Sequence, residues 1–171
     1  IQNKRSASNT MITALKERLT HQDGTLAAVD LSSVSFKDLE LSASNLQNIN
    51  LAHAQLVEAY LAYSNLTEAI LTSTNLREAH LREATLHQAD LSHANLQRAN
   101  LARATLTSAN LTHTNLTEAN LWRTDLRGAN LTNANLSHAT IIDVHIDETT
   151  ILPDGTSAQT TIDWSRFTTV H

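Results

Sequence analysis

Several side chains of this 171-residue chain that could do chemistry recur at intervals of twenty residues. His93 and His113 are separated by one such interval, and His53 lies two intervals before His93. Neutral imidazole is a common ligand of transition metals, so two histidines brought together could share an ion. No third ligand lies beside the pair, because Ser73 and Asn133 occupy the neighbouring positions. We interpret the series as a polar surface column and predict no metal site and no cofactor.

A second series combines aromatic and arginine side chains, which are enriched at the binding hot spots of protein interfaces. They fall on one face if positions twenty residues apart stack, as the family resemblance described below implies. This candidate partner surface consists of Tyr60, Tyr63, Arg82, Arg103, Trp122 and Arg123. The alternative is a chance grouping, since the two tyrosines are neighbours in sequence. In that case Glu83 and Asp143, each twenty residues from one of these arginines, form ordinary surface ion pairs of little energetic value.

The fold that positions these side chains must be compatible with a five-residue apolar repeat. Every fifth residue from Leu26 to Ile151 is Leu, Phe or Ile, which gives 26 consecutive pentapeptides. Five residues advance an α-helix by about 140° net, so these apolar residues would not form one stripe. In a flat strand, an odd period would send successive apolar residues to opposite faces. We therefore predict a corner in each pentapeptide, so that every central residue points towards a common axis.

Two further positions of the pentapeptide are specific in composition. The residue two places before the centre is usually Ala, as at Ala94, Ala99 and Ala104, and in an extended segment it faces the same side as the centre. The residue just before the centre is often Asn or Asp, whose side chains bond nearby backbone and favour turns. The pattern predicts an interior of Ala and Leu layers with Asn at the corners.

Several segments carry a family resemblance. Ala-Asn-Leu-Gln-Arg (94–98), Ala-Asn-Leu-Ala-Arg (99–103) and Ala-Asn-Leu-Thr-Asn-Ala-Asn-Leu (129–136) resemble the A(D/N)LXX signature of pentapeptide repeat proteins. The resemblance covers residues 24–153. It implies an all-β fold, a right-handed quadrilateral parallel β-helix with four pentapeptides per coil. The 26 pentapeptides would then form 6.5 coils.

The two flanks are predicted to cover the open ends of this β-helix. Residues 1–23 form the N-terminal flank, and about residues 10–20 show apolar side chains at helical spacing, so we predict a short α-helix that caps the first coil. After a Pro-Asp-Gly turn, residues 154–171 form the C-terminal flank. We expect Trp164 and Phe167 to fold over the last coil, with a flexible tail as the alternative.

The predicted faces are numbered by their central residues. Face one carries Leu46 and the central residues at intervals of twenty from it, face two carries Leu51, face three Leu56 and face four Leu61. The candidate partner surface lies on face four, and the histidine column lies on face two. Face three aligns a charged column that predicts a ladder of partly opposite charges between coils. Its members are Glu58, Glu78, Arg98, Glu118 and His138.

No enzyme motif is present. The sequence lacks G-x-S-x-G, a Gly-rich phosphate loop and H-E-x-x-H, and a Leu-filled interior leaves no substrate cavity. We predict a non-catalytic protein-interaction or scaffold module with an unidentified protein partner. The resemblance offers an alternative, since some pentapeptide repeat proteins mimic DNA and modulate type II topoisomerases. The modest net charge of −5, the arginines of face four and the scarcity of central Phe depart from that subgroup. A structural spacer is the second alternative.

Composition limits the possible compartments and partners of the chain only in part. No apolar run approaches about 18 residues, so we predict no membrane span. Cys is absent, which excludes disulfides and leaves both a cytoplasmic and an exported location open, the latter in a periplasm or thylakoid lumen. We predict no nucleic-acid partner and expect a monomer, with a dimer as the alternative.

Overall fold

Backbone pairing at a constant separation of 20 residues defines the coil of this protein. The computed structural model describes residues 31–33, 35, 39–159 and 162–168. Within these residues, single-residue parallel bridges join positions 20 apart, from Ser35–Gln55 to Asp125–His145. Four pentapeptides therefore complete one coil, and successive coils stack into a β-helix solenoid in which each coil pairs with its neighbours. The handedness of the coil stays a prediction.

Each pentapeptide donates hydrogen bonds to both neighbouring coils. The N–H of Leu96 donates to the carbonyl of Asn115 at 2.7 Å, and the N–H of Arg98 donates to Thr117 at 2.9 Å. In the other direction, the N–H of Asn95 donates to the carbonyl of Thr74 at 2.9 Å. These backbone polar groups are thus satisfied by the coils above and below, as burial requires.

The corner of each pentapeptide contains a residue with positive φ. Arg98, two places after the central Leu96, has a φ of 59°, and the N–H of Ala99 closes the turn by donating to Leu96 at 3.0 Å. The same conformation recurs at nearly every corner from Ser33 to Asp143, although few of these residues are Gly or Asn. The left-handed region costs a non-Gly residue about 1–2 kcal/mol, which the hydrogen bonds between coils must offset.

The side chain of the Asn that precedes the central residue stabilises the turn by hydrogen bonds. Oδ1 of Asn115 accepts the backbone N–H of Thr117 at 3.1 Å, and Nδ2 of Asn115 donates to Oδ1 of Asn95 one coil earlier, also at 3.1 Å. The first bond is the turn interaction predicted for Asn. The second adds a side-chain ladder between coils. The strained residue, however, lies three places after the Asn.

The interior consists of the predicted Leu and Ala layers. All central leucines from Leu46 to Leu136 are at most 1% exposed. Hydroxyl residues replace Ala at a few interior positions, and they are satisfied there. Oγ1 of Thr114, for example, donates to the carbonyl of Leu91 at 2.8 Å. The prediction of the core is confirmed for these residues.

The regular register ends after Ile146. The next bridge joins Asn130 to Ile151, 21 residues apart, and Leu152 is only 3% exposed. Leu152 therefore takes the central position, and Thr150, which is fully buried, takes the position of Ala. The prediction that Ile151 is a central residue is wrong by one place, because the turn after Ile146 accommodates one additional residue.

The described part of the C-terminal flank folds back onto the last coils. Ile151 pairs antiparallel with Ser157, and the only helix in the described residues, α1, spans Ser165–Thr168. Trp164 and Phe167 contact the core, and their ring centroids lie 6.3 Å apart, edge to face. The capping helix predicted at about residues 10–20 lies outside the described residues. No helix in the described segments is long and apolar enough to cross a bilayer.

Candidate functional site

Backbone bridges bring the whole candidate partner surface onto face four. Tyr60 pairs with His80, His80 with Asn100, and Asn100 with Asn120, which fixes the register of this face over consecutive coils. The six predicted residues therefore lie on one wall of the solenoid, in the pentapeptides of four consecutive coils. Tyr60 precedes the central residue, Arg82 and Trp122 follow it, and the remaining three lie at the corner.

The N-terminal half of face four is aromatic and open to solvent. Tyr60 is 43% exposed and Tyr63 is 57% exposed. The ring of Tyr60 stacks on that of His80 in the next coil, with centroids 4.7 Å apart and planes inclined by 6°. His80 was not among the predicted partner residues, although its spacing of twenty from Tyr60 was the signal that could have found it.

The C-terminal half of face four contains an arginine–tryptophan pair. The guanidinium carbon of Arg123 lies 4.7 Å from the ring centroid of Trp122, within the range of a cation–π contact. Ala102, one coil below Trp122 in the same column, is only 5% exposed. In the next coil Ile142 is 54% exposed and extends the apolar surface. Trp122 thus forms the centre of a patch with both apolar and cationic character.

The ion pairs of face four are long. Glu83 contacts Arg82 at 3.3 Å and Arg103 at 3.6 Å, and Arg123 contacts Asp143 at 3.4 Å. The side chains of the three arginines are about half exposed. Pairs of this kind in water contribute about 0–1 kcal/mol each. The two pairs expected from the sequence are therefore present, but they restrain the arginines only weakly.

The arginines of the other faces are held more tightly. Arg98 contacts Glu118 at 2.8 Å and Glu78 at 3.8 Å, so face three does carry its predicted charge ladder. On face one, Arg127 contacts Asp125 at 2.6 Å. The hydrogen bond from Arg98 lowers the pKa of the Glu118 carboxyl, and the bond from Arg127 lowers the pKa of Asp125. These carboxylates form short ion pairs with their arginines, whereas the ion pairs of face four are longer.

The histidine column of face two forms a stack. The rings of His93 and His113 are 4.8 Å apart and nearly parallel, and the amide nitrogen of Asn133 lies 3.5 Å from Nε2 of His113. Lone pairs of parallel rings lie in separate planes and do not converge on one ion. Among the described residues, no group of three or more His, Asp or Glu side chains could hold a metal ion.

A cavity of about 530 Å³ lies at the C-terminal end of the solenoid. Its lining includes Asp147 and Glu148. The Asp147 carboxylate is engaged in the turn, because it accepts the N–H of Gly128 at 3.1 Å and both the N–H and the hydroxyl of Thr149. The hydroxyl bond is the main cause that lowers the pKa of Asp147. This carboxylate is therefore an anchor of the irregular turn.

Comparison with known proteins matches this geometry. The family model described as pentapeptide repeats (8 copies) matches in overlapping segments that span 35–72, 49–88, 69–107, 86–123 and 109–146. The chain belongs to the pentapeptide repeat family. No curated protein sequence matches it at a significant level.

Solved structures of other pentapeptide repeat proteins resemble this one. A protein of the Arabidopsis thaliana thylakoid lumen is 30% identical, with a TM-score of 0.51, over 63% of this chain and 70% of that one. Rfr23 of the cyanobacterium Cyanothece 51142 is 26% identical, with a TM-score of 0.48, over 81% and 97%. A trypsin-treated QnrB1, a plasmid-mediated fluoroquinolone resistance protein, is 16% identical, with a TM-score of 0.40, over 73% and 86%.

Proposed function

We propose that this pentapeptide repeat protein is a non-catalytic interaction module that binds a protein partner through face four. The observation that carries the proposal is the exposed aromatic and arginine surface on a single wall. Tyr60 and Tyr63 remain 43% and 57% exposed, and Arg123 lies over the ring of Trp122. Tyr, Trp and Arg contribute most of the binding energy in many protein interfaces.

The architecture of the solenoid supports this proposal. The central leucines fill the interior of the described coils, so a partner cannot enter between them and the outer walls offer the extended surface. The backbone of that wall is fixed by hydrogen bonds to both neighbouring coils. A rigid surface loses little conformational entropy on binding, which favours affinity for a given contact area.

A DNA-mimic function is not what we propose. Such a function requires a strong and continuous negative potential. Face four instead contains Arg82, Arg103 and Arg123, of which two share the single carboxylate of Glu83. The structural spacer has no specific observation in its favour.

The proposal is tested by replacing Trp122 and Arg123 together with Ala and recovering bound proteins from a lysate of the native host. The matched control replaces Gln97 and Arg98, which occupy the same two pentapeptide positions on face three. We expect the first variant to lose a protein that the wild type and the control both retain. Unchanged recovery by the first variant, or equal loss by both, would contradict the proposal. Thermal unfolding of each variant verifies that it is folded.

A further inference from the structure

We propose that the partner of face four is an acidic protein segment whose carboxylates bind Arg103 and Arg123. This inference rests on the proposed function and specifies the chemistry of the partner. It comes from the arrangement of charges along the corner column of face four, defined here as Tyr63, Glu83, Arg103, Arg123 and Asp143.

The first argument is that the arginines of face four have free hydrogen-bonding capacity. Arg82, Arg103 and Arg123 approach their carboxylates no closer than 3.3 Å. Outside face four, every arginine with an ion pair in the described residues approaches a carboxylate to 2.8 Å or less. These are Arg77, Arg98, Arg127 and Arg166. A guanidinium presents five N–H donors, so a loosely paired one retains donors for an external carboxylate.

The second argument is the order of charges in the column. Along face four, Glu83 is followed by Arg103, Arg123 and Asp143, so the two cations occupy consecutive coils with no acidic residue between them. The coils are about 4.8 Å apart, which brings the two guanidinium groups within reach of one carboxylate or of two on an extended segment. On face three, by contrast, Arg98 contacts Glu78 on one side and Glu118 on the other.

The third argument is the apolar surface next to the two cations. Trp122 precedes Arg123, and Tyr63 and Ile142 are more than half exposed on the same face. An acidic segment that also carries apolar side chains would therefore contact both kinds of surface. Bidentate arginine–carboxylate bonds would fix its position, and the aromatic rings would provide buried area.

Charge favours a protein partner over a nucleic acid. The chain has a net charge of −5, and face one contains Glu68, Asp125, Asp147 and Glu148 against a single arginine, Arg127. Duplex DNA carries one negative charge per about 1.7 Å, so a protein must neutralise many phosphates to bind it. A short acidic segment requires only the two adjacent cations of face four.

The test measures fluorescence anisotropy of a short fluorescein-labelled peptide of repeated Glu-Leu pairs. The matched peptide has Gln in place of Glu. The test variant is Arg103→Gln with Arg123→Gln, and the matched control is Arg98→Gln with Arg127→Gln, which removes the same charge from faces three and one. At low salt we expect the test variant to bind the Glu peptide about tenfold or more weakly than the wild type, since charge-assisted bonds are lost. The control should bind within about twofold of the wild type.

Several outcomes would overturn the inference. They are no detectable binding of the Glu peptide by the wild type, equal binding of the Gln peptide, and equal weakening in both double variants. Tighter binding of single-stranded oligothymidylate than of the Glu peptide would indicate a nucleic-acid partner instead. If the Trp122 and Arg123 variant loses its lysate partner but the wild type ignores the Glu peptide, face four remains an interaction surface and only the acidic partner is excluded.

Discussion

The backbone N–H of Gly128 donates a hydrogen bond to Oδ1 of Asp147, 3.1 Å away. At the equivalent corner one coil earlier, the N–H of Ser108 donates to the main-chain carbonyl of Arg127 at 2.9 Å. A side-chain carboxylate therefore takes the place of a backbone acceptor where the additional residue enters the last coil. This pair connects the regular repeat to its irregular end.

Gly128→Ala should destabilise the fold by about 1–2 kcal/mol. The φ of Gly128 is +69°, and a Cβ would lie 3.2 Å from Oγ of Ser108 and 3.3 Å from Oγ1 of Thr149. Gly155→Ala is the control, because Gly155 has a φ of +81° but no heavy atom within 4 Å of an added Cβ. Urea unfolding should show the larger loss for Gly128. Equal losses would mean that crowding contributes nothing.

Asp147 should make the fold sensitive to acid. Its pKa in the folded state lies below the ordinary value of 3.8, mainly because of the hydrogen bond from the Thr149 hydroxyl. The ionised form is thus favoured by folding, so its stabilising effect is present above pH 3.8 and is lost as the pH falls through the lower folded pKa.

Asp147→Asn should remove this part of the acid dependence, and Thr149→Val should reduce it. Urea unfolding of the wild type and both variants between about pH 6 and about pH 3 measures the effect. The stability difference between wild type and Asp147→Asn should shrink as the pH falls. A difference that stays constant over this range would show that Asp147 does not titrate below its ordinary value.

Gln88→Gly should stabilise the protein by up to about 1 kcal/mol. Gln88 has a φ of 55° and an exposed side chain, so Gly relieves backbone strain without loss of core contacts. The greater freedom of Gly in the unfolded chain offsets part of this gain. Gln88→Val is the opposite test, because a β-branched residue is poorly tolerated at positive φ. Thermal unfolding should rank the Gly variant first and the Val variant last.

Thr114→Val should cost about 0.5–1.5 kcal/mol through loss of one buried hydrogen bond. The Leu91 carbonyl would keep its other donor, the N–H of Ala94 at 3.0 Å, which limits the penalty. Thr112→Val, on the partly exposed outer side of the preceding pentapeptide, should change stability by less than about 0.5 kcal/mol. A cost at Thr112 as large as that at Thr114 would argue against a specific role of the buried bond.

The family resemblance implied that positions 20 apart stack, and the sequence itself was sufficient to predict one corner per pentapeptide, because the central apolar residue repeats without ambiguity. It was not sufficient at the end of the repeat. Ile151 and Leu152 are both apolar, so the spacing alone favoured Ile151, whereas the structure buries Leu152. The residue types two places earlier did not distinguish the two registers, since Thr149 precedes Ile151 and Thr150 precedes Leu152 at the same spacing, and only Thr150 is buried.

The corners show a second limit of the pattern. Asn was predicted at the turn and does bind the backbone there, as Asn115 does. The positive φ, however, falls on residues such as Arg98 and Glu118, whose types carry no preference for that conformation. Bonds between coils impose it, and these depend on the tertiary structure. For the same reason, spacing located the arginines of face four but did not reveal how loosely they are paired.

The pairing of residues 20 apart has a consequence for how such a molecule can change length. Excision of one pentapeptide below Trp122 would rotate everything above the cut by a quarter turn and move Trp122 onto the adjacent wall. Excision of four pentapeptides, such as residues 81–100, would shorten the solenoid by one coil of about 4.8 Å and leave every later side chain facing its original direction. The length of this protein can therefore evolve by insertion or loss of whole coils while each wall keeps its orientation toward a neighbouring molecule.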